Sequence, residues 1–448
     1  MATMRHSRVL HLPKPVSGRY DGGNQNDRIA VILATIAITL LLALVLVNLA
    51  GAEHKVQKQI DHLYKVDDEQ FTRAMGLMMG PTIVQGNQVR DLNNGDQIFP
   101  AMLSAIRGAR HTVLFETFIY WSGEIGDEFA DALSERARAG AKVHVLLDWV
   151  GSSRMDDTLI DRMKSNGVEI RRYHPLRWYN LGRMNNRTHR KLLIVDGTIG
   201  FTGGVGVAPQ WCGNAQDADH WRDLHFQVEG PVVAQMQSVM LDNWSKTAGK
   251  VLHGPEYFPP LEPRGSQAAQ VFASSPTGGS ESMLMMYLLA ITAATRSIDI
   301  ASAYFVPDDV TRKAIIAAVQ RGVRVRIIMP GKHTDQATVR RASRGLWGGL
   351  LQAGVQMHEY QPTMFHCKMM IVDGLMTSVG STNFDMRSFR MNDEANLNVY
   401  DVVFARRMTE VFEADLAKAR RITYEEWQRR PLRIRLRERA LSLLQPVL

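Results

Sequence analysis

The body of this chain is written twice, and that limits its fold more than any other feature. SAIRGARHTVLFETFIY (104–120) matches AITAATRSIDIASAYF (290–305). RAGAKVHVLLD (138–148) matches QRGVRVRIIMP (320–330), and GVEIRRYHP (167–175) matches GVQMHEYQP (354–362). HRKLLIVDG (189–197) matches HCKMMIVDG (366–374), and RDLHFQVEG (222–230) matches DEANLNVYD (393–401). The segments keep their order and the offset stays within 171–187 residues, which chance does not produce. A period this long excludes a solenoid and implies two pseudo-symmetric domains.

Each half alternates helical patterns with short apolar runs, the βαβα rhythm of an α/β layer with a largely parallel or mixed sheet. The expected fold class is therefore α/β, with two similar domains, each a mixed sheet flanked by helices. The first domain is expected over 81–252 and the second over 270–425, with the Pro-rich HGPEYFPPLEPRGS inside a linker at 253–269.

Both halves carry His-x-Lys-x4-Asp: His189, Lys191, Asp196 and His366, Lys368, Asp373. In an extended chain residues i and i+2 share a face, so each His and Lys point the same way while Arg190 and Cys367 point oppositely. A glycine turn follows each Asp, Gly203-Gly204 and Gly380-Ser381, and in the second half Asn383 comes next. This set suits a phosphodiester. Two lysines and an amide neutralise or bond the non-bridging oxygens. One imidazole attacks phosphorus, while the other protonates the leaving alkoxide and later deprotonates the incoming nucleophile. A carboxylate on the far ring nitrogen would fix each tautomer, and Asp223 and Glu394 hold equivalent places in the repeat. One such site needs both halves. A bound metal is not expected, because the motif supplies a cation where zinc would need another ligand, and no cofactor is expected. Cys212 and Cys367 read as buried, inert thiols.

Ile29 to Val47 is a run of 19 residues without a charge, and Leu49 to Ala52 extend it. A single transmembrane helix over 29–52 is the expectation; the stretch is too long for a signal-peptide core. It follows a basic arm, 1–28, and precedes a connecting segment, 53–80. Five basic residues before the run against three after it favour a cytoplasmic N-terminus and an exported body. The formal charge of +8 sits at the ends: +3 in residues 1–28 and +6 in residues 417–448, leaving 39 basic against 40 acidic residues between them. A nearly neutral body argues against nucleic acid as partner. The tail, 426–448, alternates arginine with Leu432, Ile434 and Leu436. It reads either as a basic amphipathic segment on an anionic membrane surface or as a terminal helix packed on the body. The 13 residues before His189, LRWYNLGRMNNRT, hold Arg177, Trp178, Tyr179, Arg183 and Arg187. They form either a plain surface loop or a lip for lipid headgroups.

The paired motifs resemble the phospholipase D superfamily over about residues 80–425. That resemblance implies two α/β domains about a pseudo-twofold axis with one metal-independent site between them. By it, His189 would be the nucleophile that becomes phosphohistidine and His366 the general acid. Lys191, Lys368 and Asn383 would hold phosphate, and Asp223 and Glu394 would orient the histidines. Asp196 and Asp373, counted with the catalytic motif, would buttress it rather than touch substrate. The stretch HCKMMIVDGLMTSVGSTNFDMRSFRMNDEANLNVYD resembles the cardiolipin synthase group, with Asn383, Phe384 to Ser388 and Glu394 in place. This group often has two N-terminal spans where this sequence shows one, and Gly206 stands where the second half has Asn383. The resemblance implies a bacterial-type, single-pass inner-membrane phosphatidyltransferase. Its substrates would be phosphatidylglycerol and, as a further candidate, phosphatidylethanolamine. The alternatives are a phospholipase D that hydrolyses the same intermediate to phosphatidic acid, a nuclease, and a non-catalytic scaffold.

Overall fold

The computed structural model describes residues 25–49, 58–78, 80–175, 186–276 and 282–445. The chain divides into two units, residues 1–48 and residues 49–448.

In the first unit, a helix is assigned over Gln25–Leu49. Its described side chains, residues 27–43, are all exposed. Among the described residues no helix is long and apolar enough to cross a membrane. The rest of the apolar run, residues 44–52, is not described at side-chain level, and most of the basic arm lies outside the described residues.

The second unit is built on one mixed sheet of sixteen strands. The first half supplies β1 (Val84–Asn93), β2 (Thr112–Thr117), β3 (Lys142–Asp148), β4 (Glu169–Tyr173), the short β5 (Arg187–Thr188), β6 (Leu192–Val195), β7 (Ile199–Gly203) and β8 (Leu224–Glu229). The second supplies β9 (Gln267–Ser274), β10 (Ser297–Ser302), the short β11 (Phe305–Val306), β12 (Arg324–Pro330), β13 (Gln356–Tyr360), β14 (Lys368–Val372), β15 (Met376–Gly380), the short β16 (Phe384–Asp385), β17 (Asn392–Tyr400) and β18 (Ala419–Ile422). The order is β18-β13-β12-β10-β14-β15-β17-β9-β1-β8-β7-β6-β2-β3-β4, with β5 on β17 and a separate β11–β16 pair. From β13 to β4 the order is a palindrome in repeat equivalents, so the sequence repeat becomes a pseudo-twofold axis between β9 and β1. Those two strands pair antiparallel, Val84 with Ala269 and Asn87 with Gln267. The expected pair of sheets is thus one continuous sheet, because the end of the linker is itself β9.

Alternation along the buried strands sorts side chains to two faces. On one face a single core spans both halves, holding Leu114, Phe226, Met369 and Leu397 with Trp244 and Phe412 from the helices Val233–Ala248 and Val402–Leu416. The other face carries two separate cores. One, around Val113, Phe115 and Phe129, belongs to the first half. The other, around Ile300, Ile327 and Met370, belongs to the second. Val66, Phe71 and Met75 of the connecting segment are buried in this last core, so part of that segment belongs to the body.

The third letter of each motif shapes the backbone. Asp196-Gly197 and Asp373-Gly374 join β6 to β7 and β14 to β15, all four with positive φ (50, 62, 53 and 63°). Two consecutive positive φ values define the tight hairpin turn that Asp-Gly favours. The Asp196 carboxylate accepts from the backbone N–H groups of Arg110, His111 and Thr112 at 2.7–2.8 Å. Asp373 does the same for Thr295, Arg296 and Ser297, also at 2.7–2.8 Å. Both carboxylates lie at the far end of their strands from the lysines. Replacing Asp373 with alanine strands three backbone donors and should cost about 3 kcal/mol of stability at roughly 1 kcal/mol per lost bond. Thermal unfolding should show a lower midpoint, with kcat per folded molecule unchanged; loss of kcat in folded protein would place Asp373 in the chemistry.

Candidate active site

His189 and His366 immediately precede the central strands β6 and β14. Alternation turns Arg190 and Cys367 toward the shared core. The Arg190 guanidinium donates to the carbonyls of Val239 (2.9 Å) and Ser274 (3.2 Å), and Cys367 is fully buried there, burial pushing its thiol up. Cys212, by contrast, is only partly buried, because Trp211 beside it takes the core position. His189, Lys191, His366 and Lys368 project to the face that carries the two separate cores. Each ammonium donates to the carbonyl of its own histidine, Lys191 to His189 at 2.7 Å and Lys368 to His366 at 2.6 Å.

The carboxylates cross over between the halves. His189 Nδ1 pairs with both oxygens of Glu394 at 3.0 Å, and His366 Nδ1 with Asp223 Oδ2 at 2.7 Å. Backbone pairing enforces the exchange. β5 runs beside β17, Thr188 opposite Asp393, and His189 N–H donates to the Asp393 carbonyl at 2.9 Å. In the mirror position, His366 N–H donates to the Arg222 carbonyl at 2.8 Å. Each imidazole is therefore delivered to the residue that precedes the other half's acid.

Both acids are themselves held. Glu394 accepts from Ser381 Oγ (2.5 Å) and Asn392 Nδ2 (3.2 Å). Asp223 accepts from Trp211 Nε1 (2.9 Å) and the Leu224 N–H (2.8 Å). Phe118 stands edge-on to His189 at 5.2 Å, while Trp211 and Trp221 flank His366 at 5.4 and 5.3 Å. Tyr304 adds an edge at 6.4 Å and bonds Asp335 at 2.6 Å. The repeat gave no signal for these aromatics. Ser381 lay inside the Gly-Ser turn and was the one of these supports that could have been found.

Burial decides the charges. It pushes His189 down to about 4, against the pull of Glu394, and His366 to about 3, helped by the Lys368 charge and opposed by Asp223. Burial also takes Lys191 down to about 7, with Glu394 opposing and Lys368 adding, and lowers Lys368. Burial alone would raise Glu394 and Asp223; their histidine partners outweigh it and hold both carboxyls below their ordinary range. At neutral pH the resting site holds two neutral imidazoles, each backed by a carboxylate. Asn383 is buried beside the second motif, its backbone N–H on Ser388 Oγ at 3.2 Å and its side-chain oxygen without a partner among the described residues. Gly206 has no room for a matching amide, since a Cβ there would lie 2.9 Å from Ile119 Cβ and 3.2 Å from Trp211. No group of three or more His, Cys, Asp or Glu among the described residues is placed to share a metal ion.

The profile of the family described as cardiolipin synthase, PLD-like domain, matches residues 102–221 and 287–416. The chain belongs to that family. It is 37% identical over 364 residues to the cardiolipin synthase of Geobacillus sp. (strain WCH70), covering 81% of this chain and 72% of the relative. It is 34% identical to the major cardiolipin synthase ClsA of Bacillus subtilis, covering 88% and 82%. The fold matches the phosphatidylserine synthase of Haemophilus influenzae with a TM-score of 0.66 at 12% identity, over 85% of this chain and all of that one. In this member of the PLD-like family, both matched segments contribute a carboxylate to the other's histidine. Of the loop before His189, residues 176–185, with Arg177, Trp178, Tyr179 and Arg183, lie outside the described residues. Arg187 is described and lies over the Trp149 ring at 5.5 Å.

Proposed function

We propose that this protein is a membrane-held phosphatidyltransferase that makes cardiolipin from two molecules of phosphatidylglycerol, with His189 as nucleophile. The carrying observation is the pair of neutral imidazoles, each backed by a carboxylate and sharing one site with two lysines. Membership of the cardiolipin synthase family supplies the lipid.

His189 Nε2 attacks the phosphorus of the first lipid. The P–O bond to glycerol breaks, its electron pair stays on the glycerol oxygen, and His366 gives that oxygen a proton. In the second half, the free hydroxyl of another phosphatidylglycerol attacks the phosphohistidine, His366 takes its proton, and the P–N bond breaks to return neutral His189. Lys191, Lys368 and Asn383 hold the non-bridging oxygens, whose charge grows in each transition state. Glu394 holds the His189 ring with Nε2 free and balances the cation formed on the phosphorylated ring. An anionic phosphodiester also offsets the lysine charges that depress His366, raising its pKa toward that of a proton donor. We place the helix Gln25–Leu49 and its apolar continuation as the single anchor in a bacterial inner membrane, with the body facing outward.

Purified protein in mixed micelles with labelled phosphatidylglycerol should yield cardiolipin and glycerol. Phosphatidic acid alone would make it a hydrolase, and DNA cleavage without lipid turnover would make it a nuclease. A second expectation concerns protonation. With 15N-labelled histidine, NMR should show His189 and His366 of the free protein neutral at pH 6 and charging only near 4 and 3, well below 6.5. Inorganic phosphate should move His366 upward, because it offsets positive charge; no upward movement would remove the lysines from this role.

A further inference from the structure

We infer that the C-terminal helix Leu432–Ser442 is a two-sided device: its inner side is clamped to the catalytic body, and its outer side rests on an anionic bilayer. This inference rests on the lipid reading above, but its test reads membrane contact independently of turnover.

The inner side is polar. Glu438, 4% exposed, pairs with Arg430 and lies 3.5 Å from the Arg344 Nε of the helix Ala337–Ala353. Gly345 on that helix permits the approach, since a Cβ there would lie 2.7 Å from the Glu438 carbonyl. Beyond the helix, Gln445 Nε2 donates to the Pro307 carbonyl at 2.7 Å. Pro307 stands three residues after Tyr304, whose ring meets His366. The tail is therefore fastened beside the rim of the site.

The outer side is apolar with a basic flank. Leu432, Leu436 and Leu443 are spaced four and seven apart, which puts them on one stripe of a helix, and they are 67, 59 and 79% exposed. Arg433, Arg435, Arg437 and Arg439 are exposed, with no acidic partner among the described residues. Glu438 is the only acid between residues 427 and 448, and it is turned inward. A leucine stripe flanked by unpaired arginines fits a layer with hydrocarbon below and phosphate above. The two readings left open by the tail sequence are thus the two sides of one helix.

To test this, an environment-sensitive fluorophore is placed at Leu436→Cys in a Cys212→Ser background of the full chain. The chain is reconstituted into phosphatidylcholine liposomes with and without phosphatidylglycerol. The expected result is a blue shift and protection from acrylamide only in the anionic liposomes, lost when the four arginines become glutamine. The same variant should raise the apparent KM for vesicle substrate about tenfold and leave kcat/KM on a water-soluble short-chain diester unchanged. Equal shifts in both liposomes, no shift, a shift in detergent that grows with protein concentration, or a fall on the soluble substrate would each overturn the inference. A His189→Ala background must keep the shift, which separates this surface from the catalytic reading.

Discussion

His189→Ala is expected to lower phosphatidyl transfer by at least about 10⁴-fold, the scale seen when a nucleophile that works as part of a unit is removed. It should also abolish any trapped phosphoenzyme. His366→Ala should look equally dead with phosphatidylglycerol, since glycerol cannot leave as an alkoxide without a proton. The two variants separate on an activated diester. A p-nitrophenyl ester of a phosphatidyl group leaves as a weak base and needs no proton. His366→Ala should therefore give a burst of p-nitrophenolate and accumulate label on protein, because the first step survives while activation of the second lipid does not. His189→Ala should give neither burst nor label. A labelled protein surviving in His189→Ala would reassign the nucleophile to His366 and reverse every role given to the crossed carboxylates. Unfolding midpoints distinguish loss of chemistry from loss of fold, since both imidazoles are buried.

The duplicated motif made much of this legible. Repetition at matched spacing identified the two halves, and i, i+2 alternation correctly turned Arg190 and Cys367 away from the site. Asp-Gly at both hairpins also had a local cause that the sequence displays. The crossing of Asp223 and Glu394 did not. Equivalent places in a repeat say that each acid serves a histidine, but the choice of histidine depends on β5 lying on β17, and β5 is two residues long. Pairing between segments some 200 residues apart leaves no periodic trace. The fusion of two expected sheets into one was hidden for a similar reason: the linker carries its strand, β9, in its last residues, masked by the prolines before it. The aromatic walls around His366 come from Trp211 and Trp221, which lie in an irregular segment with no counterpart pattern in the second half. That same segment explains the missing amide at Gly206, where Trp211 fills the space.

The crossing makes a prediction that the sequence alone could not have assigned. Glu394→Gln should cripple formation of the phosphohistidine, by about 10²–10⁴-fold, the range expected when an amide replaces the carboxylate that sets a catalytic tautomer. The carboxamide presents an N–H as readily as an oxygen, so the His189 ring can turn its lone pair inward and its N–H toward phosphorus. It also removes the negative charge that balances the phosphorylated ring. No leaving group repairs this, so the activated diester should rescue Glu394→Gln poorly, as it does His189→Ala. Asp223→Asn acts on the other imidazole. It should slow glycerol departure by a similar factor but recover its burst on the activated diester, as His366→Ala does. If each acid instead served the histidine of its own half, the rescue pattern would invert, with Asp223→Asn refractory and Glu394→Gln restored. The measurement is one burst experiment on four variants. It reads the strand exchange between the halves as a division of labour between the two chemical steps.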